Sequence, residues 1–331
     1  MSTDPSTPSP GDPSAASAAS PAHAAGPVPA AARTGSGLVA RLLTVVYALL
    51  VTPVAASLVV YGGMPWQQHL LMRLTPLEQL LEYLFSPNGL PTLLALVGGL
   101  LLLVSVVATG LASSAGLASV GVLTVIPLAL SLRPQLSAAL YEVLPEPLQS
   151  VSIGVFSQGL PMLLFPVMGG LGLALAIARR RPRPPLALSL VGLVLLPLVL
   201  LAGTLLAMYG LSIVATSYAR TFGMEGVPVI ALVAVVSSMV LLWLGSAATG
   251  VSPYAQILPA LVILAATAAL LVPGLFMMLP SMFYGQIGST TMSVLVMGGG
   301  AALGLVLLAH TAVQFAVASR ARRRAQAASA P

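Results

Sequence analysis

The stretch "LPMLLFPVMGGLGLALAIARRRPR" at positions 160–183 joins a long apolar run to a cluster of arginines. The run, at 160–178, carries no charge, and about 20 apolar residues in a helix cross the roughly 30 Å hydrocarbon layer of a bilayer. The arginines that follow are typical of the cytoplasmic end of a membrane-spanning helix. This stretch therefore predicts both a transmembrane helix and the direction in which it crosses.

The rest of the chain has the same character. Its 331 residues are 58% hydrophobic and only 6% charged, whereas a soluble domain carries about 25% charged residues. The apolar runs are continuous rather than alternating, which favours helices over a β-barrel. We therefore expect an all-α polytopic membrane protein with about eight transmembrane helices, at 38–60, 91–111, 116–132, 160–178, 186–208, 227–248, 257–278 and 291–317.

The arginines predict the orientation. All 13 basic residues are arginine, and a cytoplasmic N-terminus leaves only Arg73, Arg133 and Arg220 outside. Because positive residues in short loops stay on the cytoplasmic side, we expect a multi-pass protein of the inner cell membrane with both termini inside. The inner clusters are expected to contact anionic lipid rather than nucleic acid; they comprise Arg179, Arg180, Arg181, Arg183, Arg320, Arg322, Arg323 and Arg324. The all-arginine, Ala/Gly/Pro-rich usage suggests a bacterial source.

Four landmarks recur in the same order in the two halves of the chain. Each half contains Tyr-Gly, then Ala-Thr-Gly, then Val-Met-Gly-Gly, then an arginine cluster. Biased composition could produce one such identity by chance, but the shared order favours a duplication. An even number of spans per half makes the repeats parallel, so we expect membrane repeat A at 37–185 and membrane repeat B at 186–319.

The segments outside the spans differ in composition. Residues 1–36 are rich in Pro, Ser and Ala and predict a disordered cytoplasmic tail without a signal-peptide pattern, and 320–331 form a basic cytoplasmic tail. The external loops 61–90 and 133–159 each predict a short amphipathic helix on the outer face, lying on lipid or on the bundle. The first begins with a capping box and carries an apolar stripe at Leu77, Leu80, Leu81, Leu84 and Phe85; the second is expected at 135–144.

Several chemistries are disfavoured by residues that the sequence lacks. There is no lysine for a nucleotide-binding P-loop and no cysteine for a thiolate metal site or nucleophile. The only aspartates, Asp4 and Asp12, lie in the predicted tail. We therefore expect no cofactor, no metal and no catalytic residue of a familiar type.

Two polar pairs are candidates on the outer face. Glu78 and Glu82, four residues apart, could bind a cation or a basic partner, although the solvated face of an amphipathic helix explains them more simply. His69 and Arg73 could hold an anionic headgroup, or could be an ordinary interfacial pair whose side chains reach the membrane surface.

Inside the membrane, His310 is the sharpest candidate because it is the only ionisable residue well within a predicted span. Gln314 follows it on the same helix face. A hydrogen bond to a neighbouring helix is the preferred interpretation of His310, and a ligand site is the alternative. If the protein is a transporter, Thr109 and Thr249 of the two Ala-Thr-Gly landmarks would line a cavity at the repeat interface together with His310.

Three functions remain open from the sequence. A non-catalytic membrane subunit or scaffold acting through partners, which includes a homo-oligomer, ranks first. A permease for a lipid or small molecule without proton or sodium coupling is nearly level with it. An enzyme of the outer leaflet, built from the outer polar pairs, ranks last.

Overall fold

The structure, a computed structural model, describes residues 34–67, 77–143, 159–180, 186–221, 226–270 and 294–329. Within these ranges the regular elements are all helical. The α-helices are α1 (Thr34–Gln67), α2 (Leu77–Leu84), α3 (Leu90–Ala108), α4 (Ala115–Val120), α5 (Val125–Leu132), α6 (Pro134–Val143), α7 (Leu160–Arg180), α8 (Leu186–Thr221), α9 (Val229–Ala248), α10 (Ile257–Leu270) and α11 (Gly300–Ser329). Short 3-10 turns occur at Thr109–Leu111, Gly121–Thr124 and Pro253–Gln256, and a π turn at Leu295–Gly299.

Six helical segments are long and apolar enough to cross a membrane, which confirms the class of helical membrane protein. They are Gly37–Pro65, Leu90–Leu111, Leu160–Arg180, Leu190–Ser217, Val229–Ala248 and Leu295–Arg323. The other two predicted spans, 116–132 and 257–278, coincide with the shorter apolar helical segments Ala115–Ser131 and Tyr254–Leu270. Residues 271–278 lie outside the described part of the chain.

Helix α7 forms the centre of the bundle. In its most apolar stretch 83% of the residues are buried, compared with 22% in α3 and in α8. Helices α4, α9 and α11 pack against it. Three glycines allow this close packing: a methyl group added to Gly170, for example, would lie 2.7 Å from Cβ of Ser246 and 3.0 Å from the backbone nitrogen of Ala247, both in α9. Helices can approach each other in lipid when small residues occupy the contact.

The peripheral helices pack as two pairs, α1 with α3 and α8 with α9. Each pair contains one of the Tyr-Gly landmarks at its contact. A methyl group added to Gly62 would lie 2.5 Å from the carbonyl oxygen of Thr92 in α3, and one added to Gly210 would lie 2.7 Å from Cγ2 of Val235 in α9. The same landmark therefore makes the same kind of contact in each half.

The two Val-Met-Gly-Gly landmarks differ in backbone conformation. The first lies within the continuous helix α7, whereas the second forms the buried π turn that precedes α11. In that turn Gly298 has φ of 86°, a left-handed conformation that glycine adopts without the steric cost of a side chain. The sequence predicted one continuous span over 291–317; the structure instead breaks the helix at Leu295–Gly299.

Both predicted amphipathic helices of the external loops are present, as α2 and α6. On α2, Leu84 is buried but Leu81 and Phe85 are exposed, so only part of the expected apolar stripe contacts the bundle. The capping-box residues at 75–76 and most of the predicted tail at 1–36 lie outside the described residues, and α1 begins at Thr34. At the other end, α11 continues as a helix to Ser329 through the basic tail.

Adjacent glycines in α3 provide a matched test of the α1–α3 contact. A methyl group on Gly99 would lie 2.8 Å from both the Ala55 carbonyl oxygen and the Val59 backbone nitrogen, whereas one on Gly98 would meet nothing within 4 Å. We expect Gly99→Ala to destabilise the protein by about 1–3 kcal/mol because α1 must move away. Gly98→Ala should be neutral or stabilise it by up to about 1 kcal/mol. Unfolding in mixed detergent micelles measures both, and equal effects would contradict the packing.

Candidate functional site: a buried polar cluster

His310 lies on α11 and its side chain is fully buried. Its Nε2 atom lies 2.9 Å from the carbonyl oxygen of Leu171 in α7, and its Nδ1 atom lies 2.9 Å from Oε1 of Gln256 in the 3-10 turn before α10. Because a carbonyl oxygen only accepts hydrogen bonds, Nε2 carries a proton and donates it to Leu171. One imidazole ring therefore joins three elements of the bundle.

The second bond depends on which way the Gln256 amide is turned. A neutral imidazole with its proton on Nε2 accepts a hydrogen bond at Nδ1, which requires the amide nitrogen of Gln256 to face the ring. An imidazolium would instead donate to Oε1. The neutral form is favoured because a buried charge without a counter-ion is costly, and a half-turn of the amide group supplies the donor. In either arrangement, one polar atom of Gln256 faces away from the ring.

Unused hydrogen-bonding capacity surrounds this pair. The amide atom of Gln256 that faces away from the ring has no hydrogen-bond partner among the described residues, and neither has the amide nitrogen or oxygen of Gln314. Gln314 is only 3% exposed and lies one turn after His310 on the same face of α11. Each buried polar atom without a partner costs on the order of 1–3 kcal/mol. We call His310, Gln256 and Gln314 the polar cluster.

An aromatic pair lies next to the polar cluster along the chain. The rings of Tyr254 and Phe315 have their centroids 5.3 Å apart and are tilted by 57°. Tyr254 is two residues before Gln256, and Phe315 directly follows Gln314. Both rings are exposed, Tyr254 to 57% and Phe315 to 38%. The two rings are therefore in contact at the surface of the bundle, where the 3-10 turn meets α11 beside the cluster.

The structure places the two Ala-Thr-Gly landmarks against one stretch of α7. A methyl group on Gly250 would lie 2.6 Å from the Ala174 carbonyl oxygen, and one on Gly110 would lie 2.6 Å from Cδ1 of Leu175. His310 binds the same stretch one turn earlier, at Leu171. The two landmarks and His310 therefore approach α7 along residues 171–175. Whether this stretch is an interface between two repeats stays a prediction.

The threonine hydroxyls of both landmarks bond to backbone carbonyl oxygens of their own helices, and their predicted place in a cavity lining stays a prediction. Thr109 donates to the carbonyl oxygen of Val106 at 2.6 Å, and Thr249 donates to that of Ser246 at 2.5 Å. Each hydroxyl therefore bonds to the backbone of its own helix, and the neighbouring glycines make the contacts with α7.

The outer candidates are only partly described. Glu78 and Glu82 are both exposed on α2, while His69 and Arg73 lie outside the described residues. Whether the four side chains meet therefore stays a prediction. Within the described ranges no group of three or more His, Asp or Glu side chains could hold a metal ion.

The described arginines of the two predicted inner clusters are all exposed. They are Arg179 and Arg180 at the end of α7, and Arg320, Arg322 and Arg323 on α11. Arg181, Arg183 and the side chain of Arg324 lie outside what the structure describes.

Gln256 is the member of the cluster that sequence reasoning missed. The seventh predicted span began one residue after it, at 257, so Gln256 was assigned to a loop. Its position beside a long apolar run was the available signal, because an amide at the edge of a span often bonds to a neighbouring helix. A comparison of the chain with known protein families, curated proteins and solved structures found no match.

A double-mutant cycle tests the His310–Gln256 hydrogen bond. We expect His310→Leu and Gln256→Leu each to lower the free energy of unfolding, because each leaves the other side chain buried without its partner. The double variant should lose less than the sum, with a coupling of about 0.6–1.7 kcal/mol. Thr311→Val is the control, since that hydroxyl bonds only to Leu307 of its own helix. Strictly additive losses would show that the bond does not form.

Proposed function

We propose that this chain is a permease for a small uncharged polar molecule, working without proton or sodium coupling. The observation that supports the proposal most directly is the unused hydrogen-bonding capacity of Gln256 and Gln314 beside His310. In the interior of a membrane bundle such groups are costly unless they contact water or a polar solute. A solute that both donates and accepts hydrogen bonds fits two amides and an imidazole.

The distribution of acidic residues supports uncoupled transport. The acidic side chains that the structure describes, Glu78, Glu82 and Glu142, lie on α2 and α6 rather than in the six long apolar helices. Proton and sodium coupling normally use carboxylates within the membrane. A neutral solute that moves down its gradient needs none.

We further propose eight spans in two parallel halves, 37–185 and 186–319. The support is the matched contacts of the Tyr-Gly landmarks at the α1–α3 and α8–α9 pairs, and the approach of both Ala-Thr-Gly landmarks to α7. Transporters with internal repeats also use interrupted helices near their binding sites. The π turn at Leu295–Gly299 is an interruption of this kind, and Gln256 lies in the 3-10 turn that leads into α10.

The arginine distribution supports an inner bacterial membrane as the location, with both termini in the cytoplasm. In that orientation the exposed arginines at the ends of α7 and α11 face the inner leaflet. We propose that they contact its anionic lipids.

A second candidate function is a non-catalytic subunit that works through a membrane partner or a second copy of the chain. The observation that favours it is the pair of exposed apolar side chains on the outer helices, Phe85 at 72% and Val143 at 82% exposed. A partner could cover both. An outer-leaflet enzyme is the third and weakest candidate, and it would depend on the partly described outer polar pairs.

Gln314→Leu separates a functional role of the polar cluster from a structural one. We expect the variant to be as stable as the native protein or more stable by about 1 kcal/mol, because an unpaired buried amide is replaced by an apolar group of similar size. We also expect the entry of glycerol or urea into proteoliposomes to fall about tenfold as the solute loses a hydrogen-bonding partner. Stopped-flow light scattering after an osmotic step measures the entry.

Ser238→Ala is the matched control, since Ser238 is buried on α9 and bonds to Val235 of its own helix. It should leave solute entry unchanged. Native protein that admits neither solute faster than empty vesicles would contradict the permease proposal. A destabilised Gln314→Leu with normal entry would assign the cluster to structure alone.

The proposed orientation has a direct test because the chain contains no cysteine. We expect Asn88→Cys, in the exposed turn after α2, to react with a membrane-impermeant maleimide added to whole cells. Ala327→Cys, near the end of α11, should react only after the cells are opened. The reverse labelling pattern would invert the orientation. Labelling of both residues in intact cells would exclude an odd number of spans between them, and with it the seven spans that the expected topology places there.

A further inference from the structure

Arg179 is anchored where α7 reaches the edge of the bundle. Its Nη2 atom donates a hydrogen bond to the carbonyl oxygen of Gly110, in the 3-10 turn that ends α3. The arginine is nevertheless exposed. Because a guanidinium group has five N–H donors in a fixed plane, this bond holds the group in place and leaves donors for a ligand.

Arg41 comes to the same place from α1. It lies one turn before Thr44, whose hydroxyl donates to the Arg41 carbonyl oxygen at 2.9 Å. Thr44 packs against the first turn of α4, because a methyl group on Gly116 would lie 2.5 Å from the Thr44 carbonyl oxygen. Gly110 and Gly116 stand at the two ends of the short connection from α3 into α4, so Arg41 and Arg179 flank this connection from two sides.

Arg41 and Arg179 therefore bring two positive charges to the α3–α4 connection, one from α1 and one from α7. The described acidic residues lie elsewhere, on α2 and α6. Helix α2 follows the far end of α1, which is roughly 39 Å from Arg41 by helical rise. Two cations beside one connection, on helices without a described carboxylate, favour the binding of an anion there.

We propose that Arg41 and Arg179 together bind one phosphate group at the α3–α4 connection, as a defined site rather than as part of a diffuse positive surface. The oxygens of a phosphate can accept hydrogen bonds from both guanidinium groups, and such charge-assisted bonds are about twice as strong as neutral ones. The phosphate is that of an anionic lipid headgroup or a free phosphate ion. The site does not depend on the proposed transport, since it shares no residue with the polar cluster.

Native mass spectrometry of the full chain in detergent tests this site with two probes, phosphatidylglycerol and inorganic phosphate. We expect the native protein to retain one phosphatidylglycerol about tenfold more strongly than phosphatidylcholine. Arg41→Gln with Arg179→Gln should remove that preference. Arg133→Gln with Arg220→Gln is the matched control, because it removes the same charge from exposed positions away from both inner arginine clusters and should leave the preference intact.

Arg41→Gln alone is the second variant, because it leaves the bond from Arg179 to Gly110 in place and should still weaken binding severalfold. Stabilisation of the lipid-free protein by millimolar inorganic phosphate, lost in the Arg41→Gln variant, would assign the site to free phosphate. Retention of one phosphatidylglycerol without that stabilisation would assign it to the lipid headgroup. Equal losses in the Arg41/Arg179 and Arg133/Arg220 variants, or no preference in the native protein, would overturn the proposal.

Discussion

Close approach of helix backbones along α7 is the constraint on which the rest of the bundle depends. Lipid tails are as apolar as leucine side chains, so helices gain little from hiding apolar surface from lipid and associate mainly through tight packing and hydrogen bonds. Gly169, Gly170 and Gly172 remove side-chain volume at the positions where α4 and α9 approach, and every added methyl group there would meet a neighbouring helix. Helix α11 approaches α7 as well, and there the backbone carbonyl of Leu171 lies 2.9 Å from Nε2 of His310.

The polar cluster combines two opposite effects on stability. His310 uses both ring nitrogens, and each of its bonds fixes one neighbouring element against α11. Gln314, one turn away, bonds to nothing that the structure describes. If the cluster served only to hold helices together, leucine at position 314 would give a protein at least as stable as glutamine does. The reason is that replacing an unpaired buried amide by an apolar group leaves the free energy of unfolding unchanged or raises it. The hydrogen bonds of His310 hold neighbouring elements against α11, whereas the amide of Gln314 has donors and an acceptor free for a ligand or for water.

The sequence was sufficient for those features that depend on composition over about 20 residues. The long apolar helices were predicted well because hydropathy in lipid is a property of a whole segment. The break before α11 was not predicted, since Leu295–Gly299 is as apolar as a continuous span. What sets Gly298 apart is its surroundings, because a methyl group there would lie 2.7 Å from Cδ1 of Leu96 and 3.2 Å from Cγ1 of Val59. The partners of His310 were also beyond sequence reasoning. Gln256 is 54 residues away along the chain and Leu171 contributes a backbone atom, which no residue type reveals.

Under the proposed duplication, the last span of each half carries a nitrogen-bearing side chain that contacts the end of the second span in its own half. The contact lies at Ala-Thr-Gly in the first half and a few residues after it in the second. In the first half Arg179 binds the carbonyl of Gly110; in the second His310 binds Gln256, a few residues after Gly250. The residue types differ because the depths differ. Arg179 stands at the exposed end of α7, whereas ten residues separate His310 from the first exposed arginine of α11, about 15 Å of helix. A guanidinium at that depth would be a buried charge, whereas a neutral imidazole makes directed hydrogen bonds without one. Two duplicated halves can thus place a charged side chain at the surface in one half and a neutral polar side chain in the interior in the other. The cost of burying a charge in the membrane limits the interior position to a neutral group.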